Sequence, residues 1–267
     1  SPDEFGVLSY VLSALAFFIP FSGGGMQHSF LRYAPMLDDK RNRIGLFQYS
    51  LYRGLLFSFC IASALFLLIP WLDSAVGNTS IYFCWLIFYL FSSFLIELVK
   101  MRYRVEDQNK KYAGIDVYLS VLVLFFGTGL AYFFGPIAYV IVFVTVPLVL
   151  GLVHLKVTEK VAVKIPEKYY SYGIWVGIGA IASQLMYSLD IFLVGKLIQD
   201  SQQVAIYRSA SIIPIALFFI PNSYITTHYT DLAKNSMDKE YLIRFAKDYI
   251  KLFSVLAFFL GAVLYFM

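Results

Sequence analysis

Five charged side chains interrupt apolar runs that are long enough to cross a membrane, and their chemistry needs an explanation. They are Arg53, Glu97, Asp116, Asp190 and Arg208. A charged side chain at the centre of a bilayer costs about 2.5 to 3.5 kcal/mol on the most permissive insertion scale. Each is therefore expected to face a water-filled cavity or a charged partner. A guanidinium group can hold phosphate through paired hydrogen bonds, and a carboxylate can pair with it or bind a proton or cation.

The composition places these residues in a membrane protein. Of 267 residues, 60% are hydrophobic and 14% are charged, whereas about a quarter of a soluble domain is charged. Eight apolar stretches are each long enough to span about 30 Å of hydrocarbon as a helix. We therefore predict an all-α, polytopic transmembrane helical bundle. The predicted spans are 5–26, 46–68, 81–99, 115–134, 137–155, 172–195, 204–225 and 252–267.

Basic residues alternate between the loops and so predict the orientation of the bundle. Short loops rich in Lys and Arg stay on the cytoplasmic side of a membrane. The loops after the first, third and fifth spans are rich in Lys and Arg, and so is the segment before the last span. Lys196 is the only basic residue in the intervening loops. The net charge of +4 thus reflects membrane topology, and nucleic acid is not an expected partner.

A short internal repeat predicts two halves. "FFIP" occurs at 17–20 in the first span and at 218–221 in the seventh, with the same orientation. We interpret this as two parallel, pseudo-symmetric lobes: an N-lobe at 1–165 and the start of a C-lobe at 166–267. The chain begins without Met and stops inside an apolar run, which predicts missing spans on both sides and twelve or more in total.

Several segments resemble a known transporter family. They are "SPDEFGVLSYVLS" at 1–13, "FLRYAPML" at 30–37 and "SLDIFLVGKLIQDSQQVAIYRSAS" at 188–211. The chain resembles bacterial polysaccharide and O-antigen flippases of the multidrug/oligosaccharidyl-lipid/polysaccharide exporter superfamily. In such proteins an Asp ends the seventh helix before a Gly, and a Gly-x-Tyr-x-x-Ala pattern follows the next loop. Asp190 and Gly195 match the first feature, Tyr207 and Ala210 match the second, and Ala205 stands where Gly is usual.

The resemblance implies a transporter and not an enzyme. It implies that the chain flips polyprenyl-diphosphate-linked oligosaccharide repeat units across a bacterial inner membrane, by alternating access through a cationic cavity. The products are O-antigen, capsule or exopolysaccharide. Expected partners are the lipid-linked sugar, membrane lipids, and the polymerase and glycosyltransferases of the pathway. No cofactor and no metal are expected, and coupling to H⁺ or Na⁺ is left open.

Within this framework, four residues are candidates for substrate binding: Arg53, Arg208, Arg32 and His28. Arg53 either binds a phosphate of the substrate or anchors its helix to anionic headgroups. His28 and Arg32 follow three glycines at the predicted inner end of the first span. They form either an entry site for the diphosphate or a flexible loop with topological charges.

Three carboxylates are candidates for coupling or gating: Asp190, Glu97 and Asp116. Asp190 and Arg208 are equidistant from Gln199, so we predict similar depths and an ion pair that is either structural or a gate. Glu97 is expected to bond Lys100 one turn along its helix. Asp116 is expected in a first helical turn, where the macrodipole favours an anion.

Two other functions fit a membrane protein of this kind. One is an integral membrane glycosyltransferase or polymerase acting on the same lipid-linked sugars, although no nucleotide-binding Gly pattern is present. The other is a multidrug or cation antiporter of the same fold, although Arg53 and Arg208 would disfavour a cationic drug.

Overall fold

The computed structural model is helical and has no strand among the residues that it describes, which are 1–37, 39–73, 79–155, 161–217, 220, 221, 224, 228 and 238–266. The predicted all-α class is therefore confirmed. The helices of these ranges are α1 Pro2–Ala16, α2 Met26–Tyr33, α3 Lys40–Asp73, α4 Ser80–Val105, α5 Asn109–Leu122, α6 Thr128–Phe134, α7 Pro136–His154, α8 Tyr169–Ile198, α9 Ser201–Leu217 and α10 Lys239–Phe266.

Six segments of the described chain are long and apolar enough to cross a membrane, so the chain is a multi-pass membrane protein. They are Pro2–Met36, Lys40–Leu72, Ser80–Val105, Asn109–Phe134, Pro136–His154 and Tyr169–Ile198. They correspond to the first six predicted spans. The predicted spans 204–225 and 252–267 lie partly outside the described residues, and so does the second "FFIP" copy. Helix α9 covers the described residues 204–217 of the first of these spans, and α10 covers the described residues of the second.

The first span is a broken helix. Helix α1 ends at Ala16, a 3₁₀ turn follows at Ile19–Phe21, and α2 begins only at Met26. Gly24 and Gly25 have φ values of 57° and 74°, a left-handed conformation that glycine adopts without steric cost. The prediction that the glycines end this span was wrong, because the span continues to Met36.

Glycine at these positions also permits close packing. A Cβ atom on Gly25 would lie 2.0 Å from the carbonyl oxygen of Gly173 in α8, and one on Gly23 would lie 2.1 Å from the ring of Phe94 in α4. The same Phe94 ring would meet a Cβ on Gly54 of α3 at 1.9 Å. The break in the first span therefore lies level with Phe94 and Gly54.

Helix α4 organises the packing, since it contacts α7, α3 and α2. Helix α8 packs along α1 and α2, while α5 and α6 are joined by one π-helical turn, Val123–Gly127, into a single span. Two apolar cores result. One contains Tyr10, Phe83 and Val140, and the other contains Phe30 and Phe94.

The chain divides into two compact units, Ser1–Ser209 and Ala210–Met267. In the second unit, Tyr224 makes ring contacts with Phe245, Tyr249 and Phe253 of α10. Helix α8 belongs to the first unit, together with α1 to α7. The predicted lobe division between residues 165 and 166 stays a prediction.

Charge is segregated along the first unit. The end that we call the basic end carries the last turns of α2 and α4 and the first turns of α3 and α5. The cations of these four turns are Arg32, Lys40, Arg41, Arg43, Arg102, Arg104, Lys110 and Lys111. At the opposite end, Asp3 accepts hydrogen bonds from Ser201 and Gln202 at 2.6 and 3.4 Å, and Lys196 donates to the carbonyl of Trp71 at 2.7 Å. That the basic end is cytoplasmic stays a prediction.

Candidate functional site

Five tyrosines from three helices form a cluster at the basic end. Ring centroids of Tyr169 lie 5.6 Å from Tyr33, 6.3 Å from Tyr49 and 6.2 Å from Tyr170, and Tyr33 lies 6.0 Å from Tyr172. Such separations suit edge-to-face aromatic packing. We call these five residues the tyrosine cluster. It joins the end of α2 and the first third of α3 to the beginning of α8.

Hydrogen bonds fix the centre of the tyrosine cluster. Tyr169 is completely buried, and its hydroxyl lies 2.6 Å from Oγ of Ser50. Ser50 also donates to the carbonyl of Leu46, while Ser29 of α2 donates to the Tyr169 carbonyl at 2.7 Å. The central tyrosine is thus held by both α2 and α3, which makes the cluster a rigid surface.

Two arginines lie against the tyrosine cluster. The guanidinium carbon of Arg32 is 4.4 Å from the ring centroid of Tyr172, and that of Arg53 is 5.8 Å from the centroid of Tyr49. Both distances are within the range of cation–π attraction. Both arginines are exposed, and within the described residues neither forms an ion pair with a carboxylate. Two of the predicted substrate-binding residues therefore share one surface.

Of the other two predicted substrate-binding residues, His28 lies one turn from Arg32, whereas Arg208 lies apart from this pair. His28 precedes Arg32 by four residues on α2, which places both on one helix face, and it interacts electrostatically with Glu97. Arg208 belongs to α9, which starts at the end opposite the basic end. It interacts electrostatically with Tyr139 at the start of α7. The four residues therefore do not form a single site.

Lys100 joins two of the predicted coupling carboxylates. Its ammonium lies 2.7 Å from Oε1 of Glu97 and 2.8 Å from Oδ1 of Asp116. Only 9% of the Lys100 side chain is exposed, whereas Glu97 and Asp116 expose 41% and 45%. The predicted bond between Glu97 and Lys100 is confirmed. A mostly buried cation held by two carboxylates crosslinks α4 to α5.

The predicted environment of Asp116 was wrong. Helix α5 begins at Asn109, so Asp116 lies about two turns inside it and is held by Lys100 rather than by a helix terminus. The helix starts early because the connection from α4 is a tight turn, in which Asp107 has φ 54° and the Gln108 amide donates to the Tyr103 carbonyl. The basic residues after this turn are helical.

The predicted ion pair between Asp190 and Arg208 was also wrong. The carboxylate of Asp190 accepts a hydrogen bond from the Tyr207 hydroxyl at 2.7 Å and one from the Ile191 amide at 2.8 Å. Among the residues that the structure describes, no ion pair joins Asp190 to Arg208. A neutral hydroxyl takes the place of the expected cation.

The chain was compared with known proteins. A family model described as "Polysaccharide biosynthesis protein" matches residues 1–267. The chain belongs to this family. The resemblance noted from the sequence is thereby confirmed, and the chain has a role in polysaccharide biosynthesis. Comparisons with curated proteins and with solved structures gave no match.

In this polysaccharide biosynthesis family member, sequence reasoning missed the tyrosine cluster and the bond between Lys100 and Asp116. From the sequence alone, Tyr169, Tyr170 and Tyr172 are indistinguishable from the aromatic residues that are common at membrane–water interfaces. Lys100 and Asp116 are equidistant from Gln108, which is a signal that could have found their pairing.

Proposed function

We propose that the chain flips polyprenyl-diphosphate-linked oligosaccharide from the cytoplasmic to the outer leaflet of a bacterial inner membrane, for O-antigen, capsule or exopolysaccharide synthesis. The observation that carries this proposal is the convergence of Arg32 and Arg53 on the tyrosine cluster. A diphosphate linked to sugars combines two negative charges with apolar sugar faces. Two guanidinium groups beside aromatic rings are complementary to both parts of that ligand.

The depth of Arg53 supports a path into the membrane. Arg53 adjoins Gly54, which contacts Phe94 in the middle of the bundle, and it follows the first residue of α3 by about 20 Å at 1.5 Å per residue. Arg32, by contrast, is in the last turn of α2. A headgroup that enters at Arg32 can therefore be passed to Arg53 while its polyprenyl tail stays in lipid.

The broken first span supports alternating access. Its half-helices α1 and α2 meet at glycines with left-handed backbone conformations, and α2 carries Arg32 and His28. Discontinuous helices at the middle of the membrane are typical of transporter binding sites. In our proposal α2, together with the tyrosine cluster, rocks relative to α1 between inward- and outward-facing states.

Coupling to an ion gradient is proposed to use Asp190. Glu97 and Asp116 are both paired with Lys100, so they are better suited to holding α4 against α5. Within the described part of the chain, the hydrogen-bond donors to Asp190 are neutral, namely the Tyr207 hydroxyl and the Ile191 amide. A carboxylate in that setting can take up H⁺ or Na⁺ without first breaking a salt bridge.

The proposed substrate also defines the proposed partners. Glycosyltransferases assemble the sugar on its lipid carrier at the inner leaflet, and a polymerase joins the repeat units at the outer leaflet. The chain itself makes and breaks no covalent bond in this scheme and needs no cofactor.

Reconstituted transport tests the proposal. The full-length protein is placed in liposomes with a fluorescent polyprenyl-diphosphate oligosaccharide. Flipping is measured as the fraction of the fluorescence that a quencher added outside the liposomes can reach. We expect Arg32→Gln and Arg53→Gln each to slow flipping about tenfold, the effect of losing one charge-assisted hydrogen bond of about 1.4 kcal/mol. Arg41→Gln is the matched control, because Arg41 is exposed at the same end but lies outside the cluster.

Two outcomes would replace the proposal by another function. Sugar transfer from a nucleotide sugar, with no flipping, would indicate a glycosyltransferase or polymerase. Efflux of a cationic dye that Arg53→Gln accelerates would indicate an antiporter.

A further inference from the structure

A cationic cavity of about 270 Å³ lies at the basic end, between the start of α3 and the end of α4. Of the residues that the structure describes, three cations line it, Lys40, Arg43 and Arg102, together with one carboxylate, Glu106. The formal charge of this lining is therefore +2. We call it the α3–α4 cavity.

The α3–α4 cavity is separate from the tyrosine cluster. Phe47 lines the cavity, whereas Tyr49 belongs to the cluster. Two residues apart on one helix, these side chains project about 200° away from each other. On the same rule Arg53 projects about 40° from Tyr49 and about 120° from Phe47. The α3–α4 cavity is thus on a different face of α3 from Arg53, and the transport path proposed above does not use it.

The Glu106 carboxylate is held by hydrogen bonds from other residues of the protein. Glu106 accepts from Nε of Arg102 and from Nε2 of Gln108, both at 3.0 Å. Arg43 donates from Nε to the carbonyl of Leu37 at 2.7 Å, which leaves the terminal nitrogens of its guanidinium group as further donors. The charges of Lys40 and Arg43 are therefore not balanced by Glu106. Asp39 does not line the cavity, and its carboxylate accepts from the Arg41 amide.

Apart from the Gln108 amide, the remaining lining is apolar and selects for an amphipathic ligand. Its apolar residues are Phe30, Ile44, Phe47 and Val105. The ring of Phe47 lies 5.2 Å from the guanidinium carbon of Arg102 and 5.6 Å from the ring of Phe30. A ligand in the cavity would meet cations and apolar surface together, at the level of the lipid headgroups.

We propose that the α3–α4 cavity binds the headgroup phosphates of an anionic phospholipid. A net charge of +2 matches a headgroup with two phosphodiesters, and basic pockets between transmembrane helices on the cytoplasmic side suit such headgroups. Free diphosphate has the same charged groups but no acyl chains to cover the apolar lining. The position at the end of two spans, beside the bilayer, therefore favours the lipid as the occupant.

Lipid titration of the full-length protein tests this proposal. The protein is purified in a neutral detergent, and binding of cardiolipin is measured by native mass spectrometry, with phosphatidylcholine as the neutral lipid. We expect Lys40→Gln to weaken cardiolipin binding about fivefold, the equivalent of about 1 kcal/mol per basic residue. Lys110→Gln, which removes an exposed cation of the same end outside the cavity, should change binding less than twofold.

A substitution that is expected to strengthen binding distinguishes a specific effect from misfolding. Glu106→Gln removes a carboxylate from the cavity, and we expect it to strengthen cardiolipin binding about fivefold, which a damaged protein would not do. Equal losses in Lys40→Gln and Lys110→Gln would overturn the proposal in favour of diffuse attraction. Displacement of cardiolipin by inorganic pyrophosphate at equal concentration would overturn the choice of a lipid.

Discussion

The hydroxyl of Tyr207 lies 2.7 Å from Oδ2 of Asp190 and ties the first half of α9 to α8. A tyrosine thus satisfies a carboxylate that stands inside a segment long and apolar enough to cross a membrane. The bond is near the end opposite the basic end, beside the short connection Gln199–Asp200. It explains how Asp190 is accommodated without a cation.

This bond predicts a stability difference between neighbouring residues. Tyr207→Phe should lower the free energy of unfolding by about 1 kcal/mol, the typical contribution of one hydrogen bond, while Arg208→Gln should leave it unchanged within error. Both are measured by thermal unfolding in detergent, monitored as the loss of the monodisperse peak in size-exclusion chromatography. For the same reason, exchanging the charges in Asp190→Arg with Arg208→Asp should not restore stability. A rescue by that exchange would show that the two charges pair after all.

Ion coupling depends on the same carboxylate. Asp190→Asn keeps a hydrogen-bond acceptor for Tyr207 but cannot ionise, so flipping should lose its dependence on an imposed H⁺ or Na⁺ gradient. Downhill flipping without a gradient should continue. The measurement is the flipping rate in liposomes with and without each gradient. An unchanged gradient response in Asp190→Asn would assign coupling to another group.

Lys100 should be more important for stability than either of its partners. Lys100→Met leaves Glu97 and Asp116 facing each other without a cation. We expect a loss of about 2 kcal/mol, below the value for a fully buried pair because both carboxylates are partly exposed. Neutralising both carboxylates in the same protein should recover part of this loss. No recovery in that triple variant, scored by thermal unfolding, would argue against the salt bridge as the cause.

Two glycines of α8 offer a matched pair of substitutions. A Cβ on Gly173 would lie 2.6 Å from Oγ of Ser29 and 2.8 Å from the Gly25 carbonyl oxygen, whereas one on Gly179 meets nothing within 4 Å. Gly173→Ala should therefore destabilise the protein by about 1 to 3 kcal/mol through overpacking. Gly179→Ala should be neutral or stabilising, since Ala favours helix. Thermal unfolding of the two variants side by side gives the comparison, and equal midpoints would contradict the packing of α2 on α8.

The spans were predictable because hydrophobic length determines them. The partners of their charged residues were only partly predictable, and two helical hairpins show why. Lys100 and Asp116 are equidistant from Gln108 and do pair. Asp190 and Arg208 are equidistant from Gln199 but do not, because a rotation of about 100° per residue presents Tyr207 to Asp190 instead. Equal depth can be read from a sequence, whereas helix rotation depends on tertiary packing.

The tyrosine cluster illustrates a second limit. Tyr33, Tyr49 and Tyr169 come from segments far apart in the chain, and each is an ordinary interfacial residue when read alone. Only the fold brings them together. The break in the first span was missed for a related reason, since three glycines mark a distortion but do not say whether the helix resumes.

Helix α3 contains 34 residues and is therefore about 51 Å long, some 20 Å more than a typical hydrocarbon layer is thick. The surplus has to be absorbed by inclination or by protrusion into the aqueous phase. Lengthening the acyl chains of the host bilayer would reduce that mismatch and make α3 more upright, changing the angle at which it leaves the headgroup region. Bilayer thickness is thus a physical variable to which this polysaccharide biosynthesis protein should respond.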